Sequence, residues 1–272
     1  MYEMDQYTVS LLHFEDGIKD ESGKVWAAKN GANVSSELGE FSGVLSLNGS
    51  GQYITTPSNT ELTFGGDYTV DFWVYMAAIP SVDYVVYAST VTGGISASIS
   101  TTKIAFGKCL IGDELIANVT VPIKEWVHIA ITRASNIARI FMNGAQVASG
   151  TVTTSYPQGG LNIGVDGNNS SFPLNGYIDE FRISNIARWT SDFQPDSPQP
   201  STGSGLLRIT MNDSSEREYR LSIVEIEKFI KWYDRTVGTG NTCYAFDDIV
   251  DLSKEYLSFE KIISFKVIPL KD

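Results

Sequence analysis

Apolar and polar residues alternate in short runs from Thr8 to Ile183, with Gly, Asn, Asp and Ser between the runs. Period-two alternation of this kind is the signature of β-strands with two differently solvated faces. The clearest run is Tyr68–Met76. Tyr68, Val70, Phe72, Val74 and Met76 fall on one side, and Thr69, Asp71, Trp73 and Tyr75 on the other. Aromatics on both sides predict a central strand of a sandwich. Further strands are predicted at 8–14, at 126–133 and at 176–183, and the stretch 43–54 reads as two strands meeting around a Gly-rich bend. Segments 138–142 and 145–149 flank Asn143-Gly144, whose residues both tolerate positive φ, which predicts a hairpin. Many short strands without a long helix argue for an antiparallel sandwich or barrel.

The pattern changes near residue 195. Pro195, Pro198 and Pro200 with Ser201, Gly203, Ser204 and Gly205 read as a linker, because Pro blocks strand pairing and Gly/Ser adds flexibility. Beyond it, 206–211 and 217–221 predict a hairpin across Asn212-Asp213-Ser214-Ser215. Ser222 with Glu225 reads as a capping box, opening a helix to about Arg235 that buries Val224, Ile226, Phe229, Ile230 and Tyr233. Gly238-Thr239-Gly240 ends it, and strands at 244–246 and 261–269 follow. The expected organisation is therefore a sandwich domain at 1–195, a linker at 196–205 and a small α+β domain at 206–272.

Composition narrows the function classes. The formal net charge is −12, with Lys and Arg numbering 10 against 20 Asp and Glu over residues 1–196, and 10 against 12 over 197–272. Phosphate binding needs a positive surface, so nucleic acid is not an expected partner. No apolar run approaches the ~20 residues of a membrane helix, and membrane insertion is not expected. The acidic opening Met1-Tyr2-Glu3-Met4-Asp5-Gln6 lacks the layout of a signal peptide. The two cysteines, Cys109 and Cys243, are far apart and read as free thiols. With His13 and His128 the only histidines, zinc and His-dependent catalysis are disfavoured.

Five segments resemble, in order, the landmarks of the concanavalin-like or laminin-G-like jelly roll. They are Leu11-Leu12-His13-Phe14-Glu15-Asp16-Gly17 with Asp20-Glu21-Ser22-Gly23-Lys24, then the stretches 64–74, 125–133 and 140–144, and finally Asn175-Gly176-Tyr177-Ile178-Asp179-Glu180-Phe181-Arg182-Ile183. The exit segment, 184–195, resembles the ending of laminin-G-like proteins from bacteriophage tails and virions. The resemblance implies a two-sheet antiparallel jelly roll and a non-enzymatic virion component assembled in the host cytoplasm, such as a tail-fibre, receptor-binding or capsid-decorating protein. Its expected partner is a host cell-surface glycan. The C-terminal domain would contact other virion proteins or mediate homo-oligomerisation. The alternative is a structural or protein-interaction module with no sugar site.

Site candidates follow. Trp73, Tyr75, Tyr84, Tyr87 and Trp126 are flat rings of the kind that stack on sugars, and most also suit a sandwich core. Tyr84 and Tyr87, in a less regular segment after Pro80, are the candidates for exposure. Asn168 and Asn169, in a polar loop, are candidates for bonding sugar hydroxyls. Glycoside hydrolases of this fold pair carboxylates on one strand, typically as Glu-x-Asp-x-x-Glu, and no such run occurs here. An enzyme reading requires two carboxylates facing each other at about 5–10 Å. The resemblance also implies a structural calcium ion near the meeting of the first and last strands, with Glu15 or Asp16, Asn48, Gly49 and Asp179 as candidate ligands. The alternative is that Asp179 only bonds backbone and Asp16 caps a turn.

Overall fold

The computed structural model describes residues 2–36, 43–169, 171–195, 204–233, 241–247 and 254–269. The chain divides into two units, Met1–Pro198 and Gln199–Asp272. The expected linker lies outside the described residues from 196 to 203.

The first unit is a sandwich of two antiparallel sheets. One sheet has eight strands. In space it runs Ala145–Thr151 (β13), Ile137–Met142 (β12), Trp126–Ala134 (β11), Tyr68–Met76 (β6), Asn175–Ser184 (β15), Val44–Asn48 (β4) and Asn33–Ser35 (β3). Its eighth strand, Thr8–Leu12 (β1), pairs with the second half of β15. The other sheet has seven strands, in the order Gly112–Ala117 (β10), Lys103–Lys108 (β9), Ile95–Ser100 (β8), Tyr84–Ser89 (β7), Leu161–Ile163 (β14), Tyr53–Thr56 (β5) and Ala27–Lys29 (β2).

The core lies between the sheets. Val70, Phe72, Val74 and Met76 of β6 face Val86, Tyr87, Ile99 and Phe106, with Phe181 of β15 between them. Phe72 stacks on Phe181 at 5.8 Å and meets Tyr87 edge-on at 6.1 Å. As the alternation predicts, β6 is central, flanked by β11 and β15. The Gly-rich bend behaves differently from a hairpin. The strands β4 and β5 do not pair but belong to opposite sheets. Gly49 and Gly51 take φ of 73° and 85°, and a Cβ on Gly49 would lie 2.8 Å from Asn175. Glycine there lets the chain cross tightly from one sheet to the other.

Asp20 holds the opening loop. Its buried carboxylate accepts from Ser10 Oγ, Ser22 N, Ser22 Oγ and Trp26 Nε1 at 2.5–3.0 Å and from Leu11 N at 3.3 Å. These donors offset the desolvation of the charge.

Part of the outer face of the eight-stranded sheet is covered by the chain itself. Arg182 donates to both oxygens of Asp71 at 3.1 and 2.9 Å, and both residues are buried. The Tyr2 ring lies 3.8 Å from the Arg182 guanidinium, and its hydroxyl bonds His128 Nε2 at 2.7 Å. Trp189 and Phe193 stack at 3.9 Å and both pack edge-on against His128. Burial pushes the Asp71 carboxyl up, but the Arg182 charge and hydrogen bonds from His128 and Arg182 outweigh it and hold the group below the usual range.

The second unit is a small sheet domain. Ser204–Met211 (β16) lies between Glu216–Ser222 (β17) and Ile262–Pro269 (β20), with the helix Ile223–Tyr233 (α1) following β17. Cys243–Asp247 (β18) pairs with Lys254–Ser258 (β19), a strand the sequence pattern does not predict. Leu207, Ile209, Ile226, Phe229, Phe246 and Leu257 form its core. The turn expected at Gly238–Gly240 and the Ser222 side chain lie outside the described residues.

Candidate functional site

A groove of about 320 Å³ crosses the outer face of the seven-stranded sheet. Its floor follows from strand alternation. Ile95, Ala97 and Ile99 of β8 turn into the core, so Ser96 and Ser98 turn out. A bulge between Val85 and Tyr87 shifts the register of β7, so that Tyr84, Val86 and Tyr87 face inward and Val85 and Ala88 lie on the groove. Ala105 and Gly107 of β9 stand opposite Ser98 and Ser96. The central floor is therefore built of small side chains. A Cβ on Gly107 would come within 2.4 Å of the Gly112 carbonyl oxygen, so only glycine lets the β9–β10 hairpin close.

Two walls rise from this floor. One is the turn 108–113, where Leu110, at φ 61°, and Ile111 are exposed. The other carries Asp166 and Phe172, the latter at φ 57°. The Phe172 carbonyl accepts from Val85 N at 2.9 Å, which ties the backbone to β7 while the residue stays 43% exposed. A bulky, exposed residue held at positive φ is an uncommon conformation, retained where the surroundings fix it.

Charged groups rim the groove. Lys103 Nζ lies 2.7 Å from Asp83 and 3.6 Å from Asp113, bridging two lining carboxylates. Its hydrogen bond to Asp83 raises the ammonium's pKa. Lys108 lies 3.5 Å from Glu114. Glu114 also accepts from Tyr156 Oη at 2.5 Å and from Thr154 Oγ1. Burial pushes the Glu114 carboxyl up, but these hydrogen bonds and Lys108 outweigh it and hold the group below the usual range. Asp166, buried at the base of its loop, accepts from Ser171 N at 3.1 Å.

The predicted ring platforms are largely elsewhere. Tyr87 is fully buried, with its hydroxyl unpartnered, and packs against Phe72 and Phe181. Tyr84 is 9% exposed, and its hydroxyl makes only a 3.5 Å contact with the Ala78 carbonyl. Burial raises the pKa of both phenols. Neither offers a face to a sugar. The bulge turns Tyr87 to the inner face beside Val86, and Tyr84, before the bulge, already faces inward. Trp73 is also buried, with its indole N–H unpartnered. Tyr75 is half-buried in a cross-strand row with Trp126 and Tyr177 at ring distances of 5.6 and 5.7 Å. Asn168 is exposed on the groove loop. Asn169, at φ 64°, bonds Asn162 Nδ2 through Oδ1 at 2.7 Å and shapes the loop. Phe172, which the sequence reading passed over, is the exposed aromatic residue. Its signal is an aromatic just before Pro173 in a polar loop.

The five candidate calcium ligands do not converge. Asn48 pairs with Asn175, four residues along β15 from Asp179, or about 13 Å at strand rise. The Asn48 side chain is spent on Ser50 N at 2.9 Å, and Asp16 is exposed. Burial, then the nearby Glu180 and Glu15 charges, push the Asp179 carboxyl well up, while its Oδ1 accepts from Glu180 N at 2.8 Å. Glu180 itself is taken by Tyr2 N at 2.6 Å and His13 Nδ1 at 2.8 Å. Among the described residues, no group of three His, Cys, Asp or Glu side chains is placed to hold a metal. The residues present do not fit calcium as a set.

Similarity to known proteins bears on this geometry. Domain 4 of AbnA, a GH43 extracellular arabinanase from Geobacillus stearothermophilus solved with arabinotriose, superposes with a TM-score of 0.53 at 18% identity, covering 66% of this chain and 93% of that one. The binding domain of botulinum neurotoxin DC, solved with SialylT, gives 0.53 at 14%, covering 75% of this chain and 57% of that one. The botulinum neurotoxin serotype D binding domain gives 0.56 at 13%, covering 92% and 69%. At these identities the likeness is one of fold. No curated protein matches the chain. The laminin-G family model described as the concanavalin A-like lectin/glucanases superfamily matches residues 48–192, just over half of the chain. With its two-sheet antiparallel sandwich, this chain belongs to that superfamily.

Proposed function

We propose that the chain is a non-catalytic carbohydrate-binding protein whose groove takes a host cell-surface glycan against Phe172. The observation that carries this reading is an exposed aromatic residue, its backbone tied to β7, beside a floor of small residues and a rim of carboxylates. A sugar's apolar face suits the ring, and its hydroxyls suit Ser96, Ser98, Asp83 and Asp113. Solved domains of the same fold carry sugar ligands, which supports the reading. A glycan array probed with the full chain tests it. Phe172→Ala should weaken every retained glycan about tenfold or more, the scale of one buried aromatic face. Retention of no glycan would overturn it.

The exit segment 184–195 supports a finer role as a bacteriophage virion component, with the C-terminal unit binding other virion proteins or a second copy. Mass spectrometry of purified virions should find the chain among the structural proteins. Deleting residues 201–272 should abolish incorporation and leave glycan affinity intact.

One observation favours a second reading. Because a single ammonium reaches both Asp83 and Asp113, these carboxylates lie close enough for glycoside hydrolysis. An ammonium between them, however, disfavours the protonated general acid that such an enzyme needs. Release of reducing ends from a bound glycan, lost in Asp83→Asn, would establish the enzyme.

A further inference from the structure

We infer that the groove selects uncharged oligosaccharides and discriminates against sialylated or uronic ones, an inference that rests on the groove being the glycan site. Recognition of a sugar carboxylate is strongest where a free cation meets it, and Arg is best suited because its planar fork pairs with both oxygens. Among the described lining residues there is no arginine, and Lys108 is the one cation, with Lys103 beside it. Both lysines are already engaged, Lys103 by Asp83 and Asp113, and Lys108 by Glu114. Three lining carboxylates, Asp83, Asp113 and Asp166, stand against the Lys108 ammonium, with Glu114 and Lys103 paired beside them. An incoming anion therefore meets net negative charge and has to break a standing ion pair to find a counter-ion. A neutral sugar does neither. Its hydroxyls donate to Asp83 and Asp113 without disturbing Lys103, and its ring needs only Phe172. The acidic balance of residues 1–196, 10 basic against 20 acidic side chains, adds a longer-range repulsion of the same sign.

Isothermal titration of the full chain tests this with matched probes: lactose against sialyllactose, and neutral arabino-, xylo-, cello- and manno-trioses against trigalacturonate. At least one neutral probe should bind with an affinity that changes less than twofold between 20 and 500 mM NaCl. The acidic probes should bind at least tenfold more weakly at 20 mM NaCl, and the gap should narrow at 500 mM, where the rim charges are screened. The double variant Asp83→Asn/Asp113→Asn frees Lys103 and should close the gap at least threefold at low salt. An acidic probe that binds as tightly as its neutral counterpart, and loses affinity in Phe172→Ala, would overturn the selectivity and leave the groove as the site. A gap unchanged by the double variant would also overturn it. Binding of no probe, or binding indifferent to Phe172→Ala, would overturn the groove as the site and the selectivity with it.

Discussion

The two sheets of the sandwich present outer faces of opposite character. On the eight-stranded sheet, the strand positions that face away from the core hold Asp71, His128, Asp179 and Arg182, with Trp73 and Tyr75 among them. Tyr2, Trp189 and Phe193 close over the Asp71–Arg182–His128 part of that face. On the seven-stranded sheet, the corresponding positions hold Ala88, Ser96, Ser98 and Gly107, and the face stays open between two loops. Chemically rich side chains on a strand therefore do not by themselves mark a ligand site. A charge on a sheet face is costly to bury unless partners complete its hydrogen bonds, and here Arg182 supplies them to Asp71 while Tyr2 bonds His128 and Trp189 and Phe193 pack over the group. Small side chains make no such demand. They leave room, and a ligand can use it.

If the covered face is structural, breaking its ion pair should have the largest effect of any change considered. Asp71→Ala leaves Arg182 buried and uncompensated, at a cost of about 3–5 kcal/mol, read by urea denaturation of the full chain. A loss under 1 kcal/mol would show that the cover is not holding this face together.

Asp179 sharpens the comparison in the opposite direction. Its carboxyl pKa is raised in the folded chain by burial and by Glu180 and Glu15. Above the unfolded value near pH 4 the unfolded chain loses this proton while the folded one keeps it, so stability falls as pH rises toward the folded pKa. Asp179→Asn keeps an oxygen for Glu180 N and removes the penalty. It should raise the melting temperature at pH 7 by about 2–4 °C, the shift for roughly 1 kcal/mol, and the gain should vanish below pH 4. A gain persisting at low pH would assign it to packing instead.

Tyr87 separates core from site. Its buried hydroxyl has no partner, so Tyr87→Phe should stabilise the chain by up to about 1 kcal/mol and leave glycan affinity unchanged. Reduced affinity would return Tyr87 to the binding surface. The smallest expected effect is that of calcium. Since Asn48 and Gly49 lie far from Asp179 along β15, melts in calcium and in excess chelator should coincide. A rise with calcium that Asp179→Ala removes would restore the ion and show that these residues can converge.

The same contrast explains what was legible in the sequence. The eight-stranded sheet is written in long alternations such as Tyr68–Met76 and Trp126–Ala134, which carry large apolar residues on the core side. Most of the seven-stranded sheet is not. The strand β8, Ile-Ser-Ala-Ser-Ile-Ser, does alternate, but over only six residues with Ala at its centre, and β9, Lys-Ile-Ala-Phe-Gly-Lys, sets small apolar Ala and Gly on its outer face, which leaves no polar contrast to mark the strand. The bulge in β7 adds a second obstacle, because one inserted residue reverses which side chains face the groove. Sequence reading therefore found the neighbourhood of the groove, through residues 84–87 and 168–169, and missed Phe172, Asp83 and Asp113. What places those three together is the tertiary fold: Asp83 and Asp113 are 30 residues apart, and Phe172 lies 59 residues beyond Asp113.

The pairing of β1 with β15 also sets how the sandwich would respond to force. Thr8 lies opposite Ser184, and Asn185 N bonds the Tyr7 carbonyl at 3.0 Å, so the ends of the sheet leave from the same end of one antiparallel pair. Pulling those ends apart would load the hydrogen bonds one after another, as in opening a zipper, instead of shearing them together. The clasp sits at the mouth of that zipper: Arg188 donates to both Asp5 oxygens at 3.0 and 2.9 Å and to Thr8 Oγ1 at 3.1 Å. Under such a load this partly exposed ion pair is the first thing to give, and its strength in salt would set the force at which peeling begins.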